Sequence, residues 1–349
     1  MKLYKLATFI LIVFLKTETL LSDNNLFNVN NIQLKKNENS TNTTLANRAI
    51  KKGFDKLIKK ILLNEDTKKL SDLNLTLIKQ LVTYYQISKV PNKNEEELVN
   101  FSVTFDKDKI HDLFYKQGIS YSDISDKEFF ILPIQINKDQ INVYNNNFFY
   151  ENWNETSKDK EDLIEFILLL ENIEIIQNIN KNRNSLINLE IDYLFKEYSE
   201  KNLALILIEE SKSTNSKVYI KAKIQGKKID KGLTFKKNDL KKIDYNLKII
   251  TETKKEIIDL VKSENLIDIR TPSFLNVKLN LKKKTSLVEF NSRIKNIDLI
   301  EKVYVQEFNK NYINLRIKYL GKLDKIINQL KNENIKLQFI NEQWTIKTL

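Results

Sequence analysis

Phe274-Leu-Asn-Val-Lys-Leu-Asn-Leu281 opens the clearest folding unit in the chain. Leu275, Val277, Leu279 and Leu281 alternate with Asn276, Lys278 and Asn280, the period of two that a strand with one buried face requires. Downstream, Ser286-x-x-Glu289 has the form of a capping box at a helix start, and Leu287, Phe290, Ile294 and Ile297 share one helical face. Two strands follow, Ile300–Phe308 and Tyr312–Leu320, around the polar turn Asn309-Lys310-Asn311. A second helix carries Leu323, Ile326, Ile327 and Leu330, ahead of strands at Ile335–Ile340 and Trp344–Lys347. The order is β-α-β-β-α-β with one added strand, so the spacing predicts a ferredoxin-like module over 272–349.

The same order is read near the start of the chain. Phe27–Leu34 supplies a strand, and a long helix turns Ala46, Ala49, Ile50, Phe54, Leu57, Ile58, Ile61 and Leu62 inward with lysines outward. That apolar stripe has the width of a helix packed on a sheet rather than one lying on a membrane. A short helix over Leu73–Leu81 precedes strands at Tyr84–Val90 and Leu98–Phe105. Asp106 stands at an N-cap, Lys107–Gln117 is a helix burying Ile110, Leu113 and Phe114, and Gly118 ends it in the left-handed conformation. Phe129–Ile136 closes this unit, and Pro133, lacking a ladder donor, predicts an edge or a bulge there. The expectation is a second ferredoxin-like module over 26–145.

Between them, over 160–270, a mixed module is predicted. Leu163–Leu170 is a strand and Leu186–Ser199 a helix carrying Leu189, Tyr193, Leu194 and Tyr198. Leu203–Ile208 is an unbroken apolar run and therefore a strand covered on both faces. Lys217–Gly226 and Ile229–Phe235 read as antiparallel strands, and Asp239–Ser263 as a helix burying Leu240, Ile243, Leu247, Ile250, Ile257 and Val261. The aromatic residues Phe148, Phe149, Tyr150 and Trp153 read as anchors that pack a connecting segment on the neighbouring domain, with an exposed binding patch as the alternative. The expected fold class is α+β: tandem small α/β sandwich modules, the first and last ferredoxin-like, with mainly antiparallel sheets and boundaries near Asn145 and Thr271.

A chain of 349 residues with 41% hydrophobic content has enough apolar surface for two or three cores. Its net charge is +12, and almost all of the positive charge is lysine; arginine stands only at Arg48, Arg183, Arg270, Arg293 and Arg316. Arginine reads phosphates and bases bidentately, so no sequence-specific nucleic-acid binding is expected, only weak, salt-sensitive contact of the lysine-rich last module with anionic surfaces. The chain has no cysteine, which excludes disulfides, thiol catalysis and thiolate metal sites. A single histidine, His111, excludes a His-rich metal centre and reads as a partly exposed helix residue. Five glycines supply no Gly-x-Gly-x-x-Gly, Walker A loop or Gly-x-Ser-x-Gly elbow. Glu209 and Glu210, adjacent on a strand, point to opposite faces, Glu95–Glu97 is a solvated turn, and Asp159 and Asp162 are a carboxylate pair without a motif. No catalytic, cofactor-binding or metal-ligating residue is predicted.

Met1–Ser22 has the layout of a secretory signal, with Lys2 and Lys5 ahead of the apolar run Leu6–Leu15. Ten helical residues rise roughly 15 Å, half of a ~30 Å hydrocarbon core. Leu20-Leu21-Ser22 lacks a small residue at the −3 position, so cleavage and an uncleaved N-terminal anchor both remain open, and membrane contact is expected only through 1–22.

That start, Leu45-Ala-Asn-Arg-Ala-Ile50, Phe101-Ser-Val-Thr-Phe-Asp106 with Gly118, Phe130-Ile-Leu-Pro-Ile134, Trp153 and Tyr193–Glu209 together form a layout. It resembles a family of uncharacterised proteobacterial envelope proteins, a domain of unknown function, over roughly Val29–Phe235. The resemblance implies an exported protein and brings no active-site residues with it. The expected function is a periplasmic or secreted, non-catalytic envelope protein that binds other proteins or peptidoglycan. The alternative is a carboxylate-based hydrolase with its site at a module junction.

Overall fold

In the first segment, alternating apolar residues of two strands face one long helix. A computed structural model of the chain describes residues 26–36, 41–89, 98–124, 127–137, 140–156, 163–210, 215–236, 240–281 and 286–348. The signal-like segment, Glu95–Glu97, Asp159 with Asp162, and the side chain of Ser286 with its capping box lie outside them. Strand β1 (Asn28–Lys35) pairs with β3 (Leu98–Phe105), which pairs with β2 (Val82–Lys89), all antiparallel. Helix α1 (Asn42–Ile61) starts at Thr41, whose hydroxyl accepts from the Thr44 amide at 3.2 Å, and it buries every residue of the expected stripe. Gly53 lets it approach the sheet, since a Cβ there would stand 2.9 Å from Ile32 Cδ1. Short helices α2 (Asn64–Leu70) and α3 (Leu75–Gln80) lead into β2.

Helix α4 (Lys107–Gln117) is set by its own ends. Asp106 Oδ1 accepts from the amides of Asp108 and Lys109 at 3.0 and 3.2 Å, and Gly118 closes the helix at φ 63°. A Cβ at this φ is strained, so Gly118→Ala is expected to cost about 1 kcal/mol in chemical denaturation. An unchanged midpoint would show that the left-handed closure is dispensable.

The chain then passes through β4 (Tyr121–Ser122) into a second compact unit, Ser122–Asn265. Here the prediction for the first module is corrected. Strand β5 (Glu128–Asn137) does not close that module; it pairs in parallel with β8 (Leu203–Glu209). The reason is its two apolar faces: Phe129 and Ile131 enter one core, Leu132 and Ile134 another. Such a strand belongs in the middle of a sheet. Pro133 is accordingly neither on an edge strand nor in a bulge. On the side away from β8, β7 (Glu165–Leu168) pairs only with Glu128–Ile131 and β6 (Gln140–Asn142) only with Gln135–Asn137. Pro133 sits in the gap between them, where the ladder asks for no donor.

Beyond β8 the sheet continues antiparallel through β9 (Ser216–Ile224) to β10 (Lys227–Phe235). Ala204, Ile206 and Ile208 of β8 face helix α8 (Lys242–Glu264), and Leu203, Leu205 and Leu207 face the opposite layer, as the unbroken run predicts. On α8, however, Leu240 just before it and Ile243 are exposed, while Asn246, Ile249 and Thr253 take the buried face. The connecting segment forms helix α5 (Phe148–Asn152), with Phe149 and Trp153 fully buried.

The opposite layer holds α6 (Ile173–Lys181), a 3-10 turn (Arg183–Asn188), α7 (Ile191–Leu194) and a second 3-10 turn (Lys196–Tyr198) in place of the single helix expected over Leu186–Ser199. One continuous helix advances 100° per residue and would set Leu186 and Phe195 on opposite sides. The breaks bring Leu186, Leu189, Ile191, Leu194 and Phe195 inward together. Ion pairs hold this layer down: Lys223 to Asp192 at 2.7 Å and Lys228 to Glu190 and Asp192 at 2.8 and 2.9 Å.

After β11 (Leu266–Ile267) the chain returns to the first unit, so the described residues of 26–121 and 266–348 make one body with one continuous core, not two separate modules. The strands are β12 (Ser273–Asn280), β13 (Ile300–Phe308), β14 (Tyr312–Tyr319), β15 (Ile335–Ile340) and β16 (Gln343–Thr348), with helices α9 (Ser286–Ile294) and α10 (Leu323–Asn332). Their order across the sheet is β13-β14-β12-β16-β15. The first three keep the ferredoxin-like arrangement. The added strand β16 then inserts parallel to β12 and pushes β15 to the edge. The α+β class with mainly antiparallel sheets holds throughout. Lys107 Nζ donates to the Asp298 carbonyl and ties the two segments of this unit.

Candidate binding surfaces

Among the described residues no group of three or more His, Cys, Asp or Glu is placed to hold a metal ion. Glu209, the last residue of β8, and Glu210 just beyond it point to opposite sides. Glu210 accepts from Gln135 Nε2 at 2.7 Å and from Asn246 Nδ2 at 3.1 Å, while Glu209 borders a cleft of about 300 Å³ beside Arg183–Asn188. The carboxylates with displaced pKa values, Glu190, Asp192 and Asp268, are all lowered, by hydrogen bonds from Lys228, from Lys223 and Lys228, and from Arg270 respectively. A carboxylate held ionised in this way is an ion-pair partner, not an acid poised to donate a proton.

Two buried groups on α8 serve packing. Lys254 lies over the rings of Phe166 and Trp153 at 5.4 and 5.8 Å, and Lys262 lies 3.8 Å from Asp259 with its pKa lowered by burial. His111 departs from its expectation as a partly exposed residue. It is buried, stacked on Tyr121 at 5.2 Å with Phe27 edge-on at 5.5 Å. Burial, with Lys107 nearby, pushes its pKa down to about 4, against smaller raising effects of Glu301 and Asp108.

A cleft of about 640 Å³ lies between α3 and α4, floored by Leu73, Leu77, Leu81 and Leu113. Its rim charges are largely spent on one another: Lys116 pairs with Asp112 at 2.6 Å and Lys109 with Asp106 at 3.6 Å.

Strand β2 lies at an edge of its three-stranded sheet. Tyr85 and Ile87 lie opposite Val103 and Phe101 and so share the core-facing side of the sheet, yet they are 44% and 49% exposed. Helix α1 covers β1 and β3 and stops short of them. Four other edge strands among the described residues carry bulges or charges. Strand β13 has two bulges and carries Glu301, Lys302 and Glu307; β10 carries Lys227, Lys228, Asp230 and Lys231; β1 is bulged between Val29 and Ile32, and β15 carries Lys336. From Tyr84 to Ser88, β2 has neither a bulge nor a charge.

Sequence reading found this strand but not its openness, because alternation shows which residues share a face and not whether anything covers it. No helix among the described residues is long and apolar enough to cross a membrane. No protein-family model, no curated protein and no solved structure matches this chain.

Proposed function

We propose that the protein is a non-catalytic, exported envelope protein that binds partner polypeptides, taking an extended segment along the free edge of β2. The observation that supports this reading is the uncovered pair Tyr85 and Ile87 on an edge strand that runs from Tyr84 to Ser88 without a bulge or a charge. An added strand takes up the free backbone N–H and C=O groups, and its alternate apolar side chains cover the two exposed residues. The signal-like layout of Met1–Ser22 supports export, and with it a partner in the cell envelope.

The test is photo-crosslinking from positions 84–88 of the full chain in cells, combined with amide exchange of β2. Adducts to one polypeptide at alternate positions, slowed exchange of β2 amides, and loss of both in Tyr85→Lys/Ile87→Lys are expected. Adducts of equal yield from β10, or retention on peptidoglycan alone, would refute the strand-edge reading.

A further inference from the structure

Independently of β2, the face of the five-stranded sheet turned away from its helices carries a second arrangement. Leu275, Val277, Leu279, Leu315 and Ile317 are buried inward, so Phe274, Asn276, Lys278, Tyr312, Asn314, Arg316 and Lys318 point outward. Register adds Lys302 and Tyr304 from β13, Lys347 from β16, and Lys336 and Ile340 from β15. Two of the cations are held in place by rings of the same face: Lys278 Nζ lies 3.9 Å from the Tyr312 centroid and the Arg316 guanidinium 4.1 Å from that of Phe274.

Charge on this face is unbalanced. Glu301 is paired with Lys318 at 2.6 Å, and Glu307 accepts from Tyr312 Oη and Asn314 Nδ2 at 3.0 and 2.7 Å. Among the described residues Lys278, Lys302, Arg316, Lys336 and Lys347 have no ion-pair partner.

We propose that this outer face docks on an anionic phospholipid surface. Unpaired cations spread over all five strands suit a two-dimensional array of phosphates, each near the surface adding attraction for an anionic leaflet. Exposed apolar side chains stand among them, Phe274 at 46%, Tyr304 at 45% and Ile340 at 44%, and these enter the headgroup layer. A single-stranded nucleic acid asks for several free ring faces on which bases stack, but Phe274 and Tyr312 already carry their own cations, which leaves Tyr304.

Flotation of the full chain with vesicles tests this. At about 0.15 M salt, binding is expected to vesicles with roughly 30% phosphatidylglycerol and not to pure phosphatidylcholine. Lys278→Glu/Arg316→Glu is expected to lower the anionic partition coefficient by more than about 25-fold, with Lys278→Arg/Arg316→Lys near the parent. Should the double reversal fail to fold by circular dichroism, Lys336→Glu/Lys347→Glu on the same face replaces it, with a similar loss expected. Equal binding to both vesicle types, attributable to the apolar segment in 1–22, would overturn the proposal. So would charge-reversed chains that bind like the parent, or an oligothymidylate that binds where anionic vesicles do not.

Discussion

Replacing Asn147 by alanine is expected to destabilise the unit Ser122–Asn265 by about 3 kcal/mol, read as a lower urea midpoint at unchanged slope. The side chain is fully buried, and all of its polar capacity is used. Its amide nitrogen lies 2.8 Å from the carbonyls of Pro133 and Val143 and 3.0 Å from that of Asn142, sharing two hydrogens among three acceptors. Its oxygen accepts from the amides of Phe149 and Tyr150 at 3.1 and 3.2 Å and so caps α5. Alanine leaves carbonyls and amide donors buried without partners, which costs more than the hydrogen bonds themselves contribute. Asn147→Asp keeps the cap acceptor but sets a carboxylate against three carbonyls, and is expected to cost at least as much. A loss under about 1 kcal/mol in both variants would mean that water replaces the side chain.

The second large effect is on pH dependence. His111 is neutral in the folded chain, with its Nε2 buried and without a hydrogen-bond partner. Its folded pKa of about 4 lies below the unfolded value near 6.5, so between these the unfolded chain binds the extra proton. Stability from this group is complete above pH 6.5, falls as pH drops toward 4, and is flat below. The whole loss is roughly 2–3 kcal/mol, taken below the full shift because the ring is not wholly dry. The groups acting on the imidazole are Lys107 and Asp108 on its own helix and Glu301 on β13. His111→Phe keeps a ring against Phe27 and Tyr121 and removes the titration. Urea unfolding at about pH 7 and pH 4.5 should therefore show a much smaller acid loss in the variant. Equal acid losses in the two proteins would assign the effect to carboxylates such as Asp268, whose lowered pKa also makes stability fall with acid.

Local structure was legible in single residues and their spacing. Asp106 and Gly118 bracket α4 because an N-cap acceptor and a left-handed residue act within one helical turn. The stripe of α1, the alternation of β3, β12 and β14, and the two-faced burial of β8 were legible because a period of 3.6 or 2 states which side must leave water. The outward cluster of Lys278, Arg316, Phe274 and Tyr312 follows from the alternation of single strands, but its assembly needs the register of β12 on β14.

Tertiary structure decided the rest. The apolar faces of β5 fit the edge of a first module as well as the centre of a second until β8 is present to pair with it. The breaks across Arg183–Tyr198 arise because the sheet beneath offers one buried surface to five apolar residues that no single helix could turn the same way. Whether Tyr85 and Ile87 are covered, and whether His111 meets water, depends on residues distant in the chain. Burial is a property of the assembled layers, and periodicity constrains a face without naming what, if anything, will lie against it.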